Sequence, residues 1–581
     1  MSAFSQRPFS ERTATWLHQS GLHPLLARLF AARGVAKPDE LSLDLKQLLS
    51  PVDLKNCIST AKLLADILEH KEPMLVVADY DCDGATACAV AVRGLKMLGG
   101  SHTPIQFLVP NRFTMGYGLT PEVVDLAAQQ TPKPKYLITV DNGIASEAGV
   151  QRAHELGMQV IITDHHLPGD RLPDATAIVN PNQPGCTFPS KALAGVGVMF
   201  YLLVALRAEL RKRNLFTAEN QPKIENLLDL VALGTVADVA QLDRNNRILV
   251  ANGLKRIRSG VSQAGIAALF QAATRDPRKA NTFDLGFAIG PRLNAAGRLA
   301  DMTLGIRLLL SENPDEALEL AYELDRINRE RRVIESGMQE AALAHLAEDQ
   351  LAGTMASRSS ICLWNPEWHQ GVVGIVASRL KERFNRPAIV FAPADGDSGQ
   401  ELRGSGRSLS GFHLRDALDI VSKRAPGIIL KFGGHAMAAG LTIKKSDFEK
   451  FDTLFQQVAN ELLNDELLER RHVHDGGLDP TEFTTETGDL LAEEIWGQGF
   501  PQPIFYGEFE IAQQSLMKEK HLRLQLRPSG NNGASSKLLT GVWFNRTQPL
   551  PAKVKLAYRL VTDRYQGQAR VQLMIEAHDE S

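Results

Sequence analysis

Residues 74–84 read MLVVADYDCDG: five apolar residues, then three aspartates within five positions, then a glycine. A short apolar run rich in branched side chains and closed by turn residues is the signature of a fully buried strand. The same design recurs at YLITVD (136–141) and QVIITD (159–164), each run ending in an aspartate and separated from the next by helical periodicity. Buried strands alternating with helices predict a parallel sheet with crossover helices. Ligands of such open α/β sheets sit beyond the carboxyl ends of the strands. Asp79, Asp141 and Asp164 all fall at that edge.

The residue types there point to chemistry. Asp79, Asp81 and Asp83 crowd one strand-to-helix turn, and such crowding is unfavourable unless cations neutralise it. Hard oxygen ligands favour Mg²⁺ or Mn²⁺. An acidic loop with a turn glycine explains the same residues without a metal. Val140-Asp141-Asn142-Gly143 alone is an ordinary turn sequence. Thr163-Asp164-His165-His166 is more specific, because paired histidines after an apolar strand suit ligation better than a surface turn. Gly234-Thr235-Val236-Ala237-Asp238 follows another apolar stretch, LLDLVAL, and Asp238 in isolation says nothing. Taken together, these acids and histidines are expected on successive strand ends of one sheet. They offer enough ligands for two divalent ions. A two-metal site activates water and clamps the oxygens of a phosphoryl displacement, with the ions roughly 3.5–4 Å apart. The set therefore points to a phosphoesterase.

The whole chain is too long for one core: 581 residues call for several domains. The expected division is a helical N-terminal extension (1–70), a catalytic α/β unit (71–310), a connecting helix (311–350), a second α/β unit (351–465) and a β-barrel (466–581). The connecting helix carries an apolar stripe at Ala317, Leu320, Ala321, Leu324 and Ile327, with Ser311 as the expected N-cap. After it, ICLWN and PAIVFAP restore α/β character. HLRLQL, KVKLAY and RVQLMI then alternate apolar with polar, as half-buried antiparallel strands do, and an OB-fold is one candidate. Tyr558, Arg559, Arg564 and Tyr565 lie in that region, but most aromatics of such strands belong to the core and no site is assigned there.

Net charge is −3, so any nucleic-acid contact must rest on local positive charge. Five scattered cysteines without a CxxC pair argue against a disulfide framework and a cysteine zinc site, and for a reducing compartment. The opening MSAFSQRPFSERTATW has no signal-peptide pattern, and the apolar run Ala192–Leu206 is too short for a membrane span. A cytoplasmic location and no membrane partner are expected.

In order along the chain, DYDCDG, VDNG, TDHH and GTVADV resemble the motifs of the DHH phosphoesterase superfamily. PRLNAAGR (291–298), GSGRS (404–408) and FGGHAMAAG (432–440), together with VPNRFTMGYGL, LAGVGV and NPEWHQGVVGI, are similar to its RecJ branch of single-stranded-DNA exonucleases. Cys82 stands where the family often has alanine. The resemblance implies two α/β lobes, a DHH domain and a DHH-associated domain, joined by the long helix, plus an OB-like barrel, with the site in the cleft between lobes. It implies that Asp81 and Asp83 bind different ions with help from Asp79, that Asp141 bridges both, and that His165 and Asp238 complete the shells. His166 would contact the scissile phosphate, and activated water would be the nucleophile. Ser405, Arg407, Gly433, Gly434 and His435 would form phosphate-binding loops. Arg112, Arg292, Asn294 and Arg298 become candidate DNA contacts, each of which also reads as an ordinary surface or hinge residue. The implied activity is 5′-to-3′ hydrolysis of single-stranded DNA to 5′-mononucleotides in repair and recombination, by a monomer working with a single-strand-binding protein and a helicase. The competing readings are a short-oligonucleotide or cyclic-dinucleotide phosphodiesterase with the same metal site, and a non-enzymatic scaffold with a decayed core.

Overall fold

The structure is a computed structural model that describes residues 3–112, 114–351, 358–394, 400–529, 538–564 and 568–579. Its first sheet has five parallel strands in the order Ile105–Leu108, Met74–Ala78, Tyr136–Val140, Gln159–Thr163 and Ala177–Val179. The three predicted apolar runs are neighbours in it, and two of them are buried along their whole length. A strand covered on both faces has no polar side to alternate, which is why these runs are continuous.

The apolar run near residue 192 forms most of the helix Gly195–Lys212, which packs on the helix Cys82–Gly99 behind the sheet. Among the described residues no helix is long and apolar enough to cross a membrane. LDLVALGTVA is also a helix, Leu228–Ala237, buried almost all round. Asp238 therefore caps a helix and does not end a strand, contrary to the sequence expectation. Ten consecutive residues without polar alternation fit a buried helix better than a strand.

The connecting helix spans Pro314–Leu351, a length of roughly 57 Å at about 1.5 Å per residue. Its first half buries Ala317, Ala321 and Leu324 in the core of the first lobe. Further along, Met338, Ala342 and Leu346 pack with Val373, Val376 and Leu380 of the second lobe. One rod thus belongs to two cores. Its cap is Asn313, whose Oδ1 accepts from the amide of Asp315 at 2.9 Å, and not Ser311. Pro314 at the first helical position sets this start. The Ser311 hydroxyl is occupied by the Asn313 carbonyl and Glu316.

The second lobe carries a mixed sheet in the order Ile429–Gly434, Ala438–Lys444, Glu401–Arg407, Ala388–Pro393 and Ile361–Trp364. Five strands between Phe505 and Asp579 close into a barrel. The N-terminal extension is helical from Glu11 but begins with a strand, Ala3–Gln6, paired in parallel with Arg471–His474. Arg33 and Asp475 form an ion pair, nearly excluded from solvent, that ties this extension to the start of the barrel region. Tyr565 lies outside the described residues. Tyr558 is core, and Arg559 and Arg564 are held by Glu576 and Asp489.

Two close approaches position the site. The helix Gly290–Leu299 lies against the aspartate turn, and the Asn294 side chain accepts from the Cys82 amide at 2.8 Å. A Cβ at Gly297 would stand 1.8 Å from the Tyr80 carbonyl oxygen. Gly297→Ala should therefore push helix and turn apart, lowering stability by about 1–3 kcal/mol as overpacking does and weakening Mn²⁺ binding. Denaturant unfolding and metal titration check this; wild-type values for both would show that the contact does not hold the turn.

Candidate active site

The carboxyl edge of the parallel sheet gathers the expected acids. Asp79 and Asp141 follow adjacent strands and are buried. Asp81 caps the helix Cys82–Gly99 by accepting from the Gly84 amide at 3.0 Å, which sends Asp83 inward in the first turn. The Asp83 carboxylate accepts from the amides of Gly195 (2.6 Å) and Val196 (2.9 Å), the N-terminal donors of the helix Gly195–Lys212. A helix N-terminus stabilises negative charge. Gly195 is required there, because a Cβ would fall 2.5 Å from Asp141 Oδ1.

His165 Nε2 points into this cluster, 3.1 Å from Asp141 Oδ1 and 3.9 Å from carboxylate oxygens of both Asp83 and Asp238. Both Asp141 Oδ1 and His165 Nε2 are buried without a hydrogen-bond partner. The possible ligand sets are Asp79/Asp81/Asp141, Asp83/His165/Asp238 and Asp141/His165/His166, each with ligand atoms within 4.8 Å of one another. Asp141 and His165 each belong to two of them. Burial, reinforced by the neighbouring carboxylates, pushes Asp79, Asp141 and Asp238 well above the usual carboxylate range. Burial and Asp81 push Asp83 up to about 7. Unpartnered lone pairs and mutually repelling carboxylates describe a pocket that fits divalent cations.

The histidines divide by environment. Burial, then the charge of His166, lowers His165 to about 4, leaving the neutral imidazole that ligation needs. Burial alone would lower His166 too, but its 2.8 Å hydrogen bond to Asp164 and that residue's charge raise it to about 9. Asp164 is anchored by the amides of Ile144, His165 and His166. It acts through His166, holding a cation beside the acidic cluster.

A second cluster is positive. Arg112 lies 4.5 Å over the Tyr80 ring, Arg298 reaches the Gly371 carbonyl at 3.4 Å, and Arg407 is held by Ser405 Oγ and the Gly406 carbonyl. Burial first, then Arg112 and Arg407, brings Arg298 down to about 10; burial and Arg112 also lower Arg407. Gly374, in the first turn of the helix Val373–Phe384, approaches so closely that a Cβ would meet Ser405 Oγ at 2.8 Å and Arg407 Nη2 at 2.9 Å. Three guanidiniums at the opening of a helix form a ready anion pocket.

Other expected residues sit differently. Arg292 is buried, pairs with Asp325 at 2.8 Å and donates to the Ala288 carbonyl, so it braces the connecting helix. Asn294 holds the aspartate turn, as described above. GSGRS is not a loop but part of the strand Glu401–Arg407, with Gly404 against Phe391 and Gly406 against Leu414. FGGHAMAAG is a hairpin in which Gly433 and Gly434 pair with Gly440 and Ala439. His435 lies at its tip, where partial burial, then the charge of His166, lowers its pKa. Tyr117, absent from the expected set, places its hydroxyl 3.3 Å from both the Asp141 carbonyl and the His166 ring. Its flanking glycines, Gly116 and Gly118, both at positive φ, were the available signal.

Comparison with known proteins is decisive at this point. The single-stranded-DNA-specific exonuclease RecJ of Escherichia coli K12 is 48% identical over 568 residues, 96% of either chain. The chain belongs to the RecJ family. RecJ of Thermus thermophilus is 32% identical over 529 residues, covering 90% of this chain and 71% of that one. The DHH family N-terminal domain matches residues 73–235, the DHHA1 domain residues 357–461, and the RecJ OB domain residues 474–577. The solved structure of Thermus thermophilus RecJ in complex with Mn²⁺ superposes with a TM-score of 0.81 at 29% identity, over all of this chain and 79% of that one. A RecJ bound to manganese matches at 34% identity and a TM-score of 0.59, over 71% of this chain and 97% of that one.

Asp141→Asn keeps the shape of the residue and removes its charge. Because burial and its neighbours raise the Asp141 pKa, the ionised form opposes folding above the ordinary carboxylate range, and a neutral amide escapes that penalty. The variant should melt higher than wild type at pH 8 in chelator, yet lose nuclease activity at saturating Mn²⁺. Thermal melts with paired activity assays decide; retained hydrolysis refutes the bridging role.

Proposed function

We propose that this chain is a divalent-metal-dependent exonuclease that hydrolyses single-stranded DNA from the 5′ end to 5′-mononucleotides. The observation that carries the reading is the juxtaposition of two clusters of opposite charge across Tyr80, whose ring lies under Arg112 and whose neighbours are Asp79 and Asp81. Asp79, Asp81, Asp83, Asp141, His165 and Asp238 would hold two ions, Mg²⁺ or Mn²⁺. Bound there, such ions supply Lewis-acid stabilisation of the phosphoryl oxygens and an activated water.

The chain's own residues do the rest. Arg112, Arg298, Arg407 and Ser405 grip a terminal 5′-phosphate. The next phosphodiester then lies over the acidic cluster at a fixed offset, and protonated His166, oriented by Asp164, donates to its oxygen. Each cut leaves a new 5′-phosphate for the arginine pocket, which gives 5′-to-3′ polarity. His435, on the Gly433–Gly434 hairpin, closes the pocket from the second lobe. A cleft lined by one sheet edge and one hairpin admits a single strand and rejects blunt duplex. That selectivity requires a helicase or an overhang to supply the strand and suits cooperation with a single-strand-binding protein. All five cysteines are free thiols, in keeping with a reducing compartment such as the cytoplasm.

Digestion of end-labelled strands with Mg²⁺, Mn²⁺ or chelator tests this reading. The expected result is mononucleotide release from 5′-phosphorylated single strands, little action on blunt duplex, and inhibition by salt as phosphate contacts are lost. Arg407→Ala should cost about 1.5–3 kcal/mol, the worth of a charge-assisted hydrogen-bond set, on 5′-phosphate strands and much less on 5′-hydroxyl strands. Equal losses on both ends would contradict end recognition. Activity confined to di- or trinucleotides would favour the short-substrate phosphodiesterase.

A further inference from the structure

The helix that braces the aspartate turn begins outside the site. Asp284–Ile289 forms a π-helical turn that runs directly into Gly290–Leu299. Along this one segment, Gly286 lies against Val236, Gly290 against Ala237, Asn294 bonds the Cys82 amide, Gly297 meets the Tyr80 carbonyl, and Arg298 enters the arginine pocket. The segment therefore runs from the helix that presents Asp238 to the site that holds the 5′ end. At its far end Phe283 and Phe287 are 48% and 67% exposed, with their rings stacked 4.9 Å apart at 26°. Nothing in the fold requires two adjacent phenyl rings in water, and a paired exposed aromatic surface beside a site marks an interaction surface. Val239, next to Asp238, is 64% exposed. Arg275 lies beside the rings through its 3.6 Å ion pair with Asp284, and Arg278 and Lys279 occupy the short turn preceding them, with Asp276 paired to Arg278.

We propose that the Phe283–Phe287 pair is a base-stacking platform for the strand on the 3′ side of the scissile bond. This rests on the exonuclease reading above. A strand with its 5′ phosphate among Arg112, Arg298 and Arg407 crosses the acidic cluster and leaves past Asp238. From Arg298 back to Phe287 is eleven residues, roughly 16 Å of helix at about 1.5 Å per residue, so the platform meets bases a few nucleotides beyond the cut. Phenyl faces take any base, while the neighbouring cations accompany the backbone, the combination that holds single strands without regard to sequence.

The test compares wild type with Phe283→Ala/Phe287→Ala on a 5′-phosphorylated dinucleotide, too short to reach the platform, and on a 20-mer. The expected result is a kcat/KM on the order of tenfold lower on the 20-mer and unchanged on the dinucleotide. Single abasic nucleotides placed along the 20-mer should slow the wild type at one or two adjacent positions, and that dip should vanish in the variant. Equal kinetics on both substrates, or equal losses on both, overturn the proposal. So does a deficit seen only on strands coated with single-strand-binding protein, which would assign the patch to a protein partner. A wild type inert on the 20-mer refutes the exonuclease reading and this inference with it.

Discussion

Asp79, Asp83 and Asp141 are buried at one sheet edge, with Asp81 and Asp238 at the rim, and ligand atoms of Asp79, Asp81 and Asp141 lie within 4.8 Å of one another. At an effective dielectric near 20, two like charges about 4 Å apart repel by about 4 kcal/mol. Several such pairs cannot all stay ionised without compensation. The scaffold supplies part of it: two helix N-terminal amides on Asp83, a cap role for Asp81, and the His166 cation held by Asp164. The rest comes from protonation or from bound cations. The layered parallel sheet, the glycines at 195 and 297 and the buried helix behind Asp238 all serve to bring these charges together despite their repulsion.

The same tension appears with opposite sign beside it, where Arg407 of the second lobe meets Arg112 and Arg298 of the first. Burial and then the charge of Arg112 lower both Arg298 and Arg407, and none of the three has a carboxylate partner among the ion pairs of the described residues. A surface that leaves negative charge unsatisfied on one side of Tyr80 and positive charge on the other complements a phosphodiester accompanied by metal ions. The first lobe supplies the acids, Arg112 and Arg298, and the second supplies Ser405 and Arg407, so the complete arginine cluster depends on the connecting helix, which sits in two different cores. Arg331, Glu335 and Arg379 link that helix to the second lobe where the two meet.

The sheet and its acids were legible because burial on both faces forces continuous apolar runs, and the turn after each run is where polar chemistry can surface. What escaped the sequence was set by partners distant along the chain. Arg292 reads as a surface base until Asp325, on the connecting helix, claims it. The glycines of GSGRS suggest a turn, whereas Phe391 and Leu414 require them for packing inside a strand. Asp238 was read as another strand end, although its apolar lead-in winds into a helix. Tyr117 was hidden because a tyrosine between two glycines gives no sign of which carbonyl its hydroxyl will meet.

The central claim is that this pocket is completed by two divalent cations sharing Asp141. Titration of the metal-free protein with Mn²⁺, followed by calorimetry and by electron paramagnetic resonance, tests it most directly. The account predicts two ions per chain and, at saturation, the spectrum of a magnetically coupled pair. A single site, or two sites with uncoupled spectra, would contradict it.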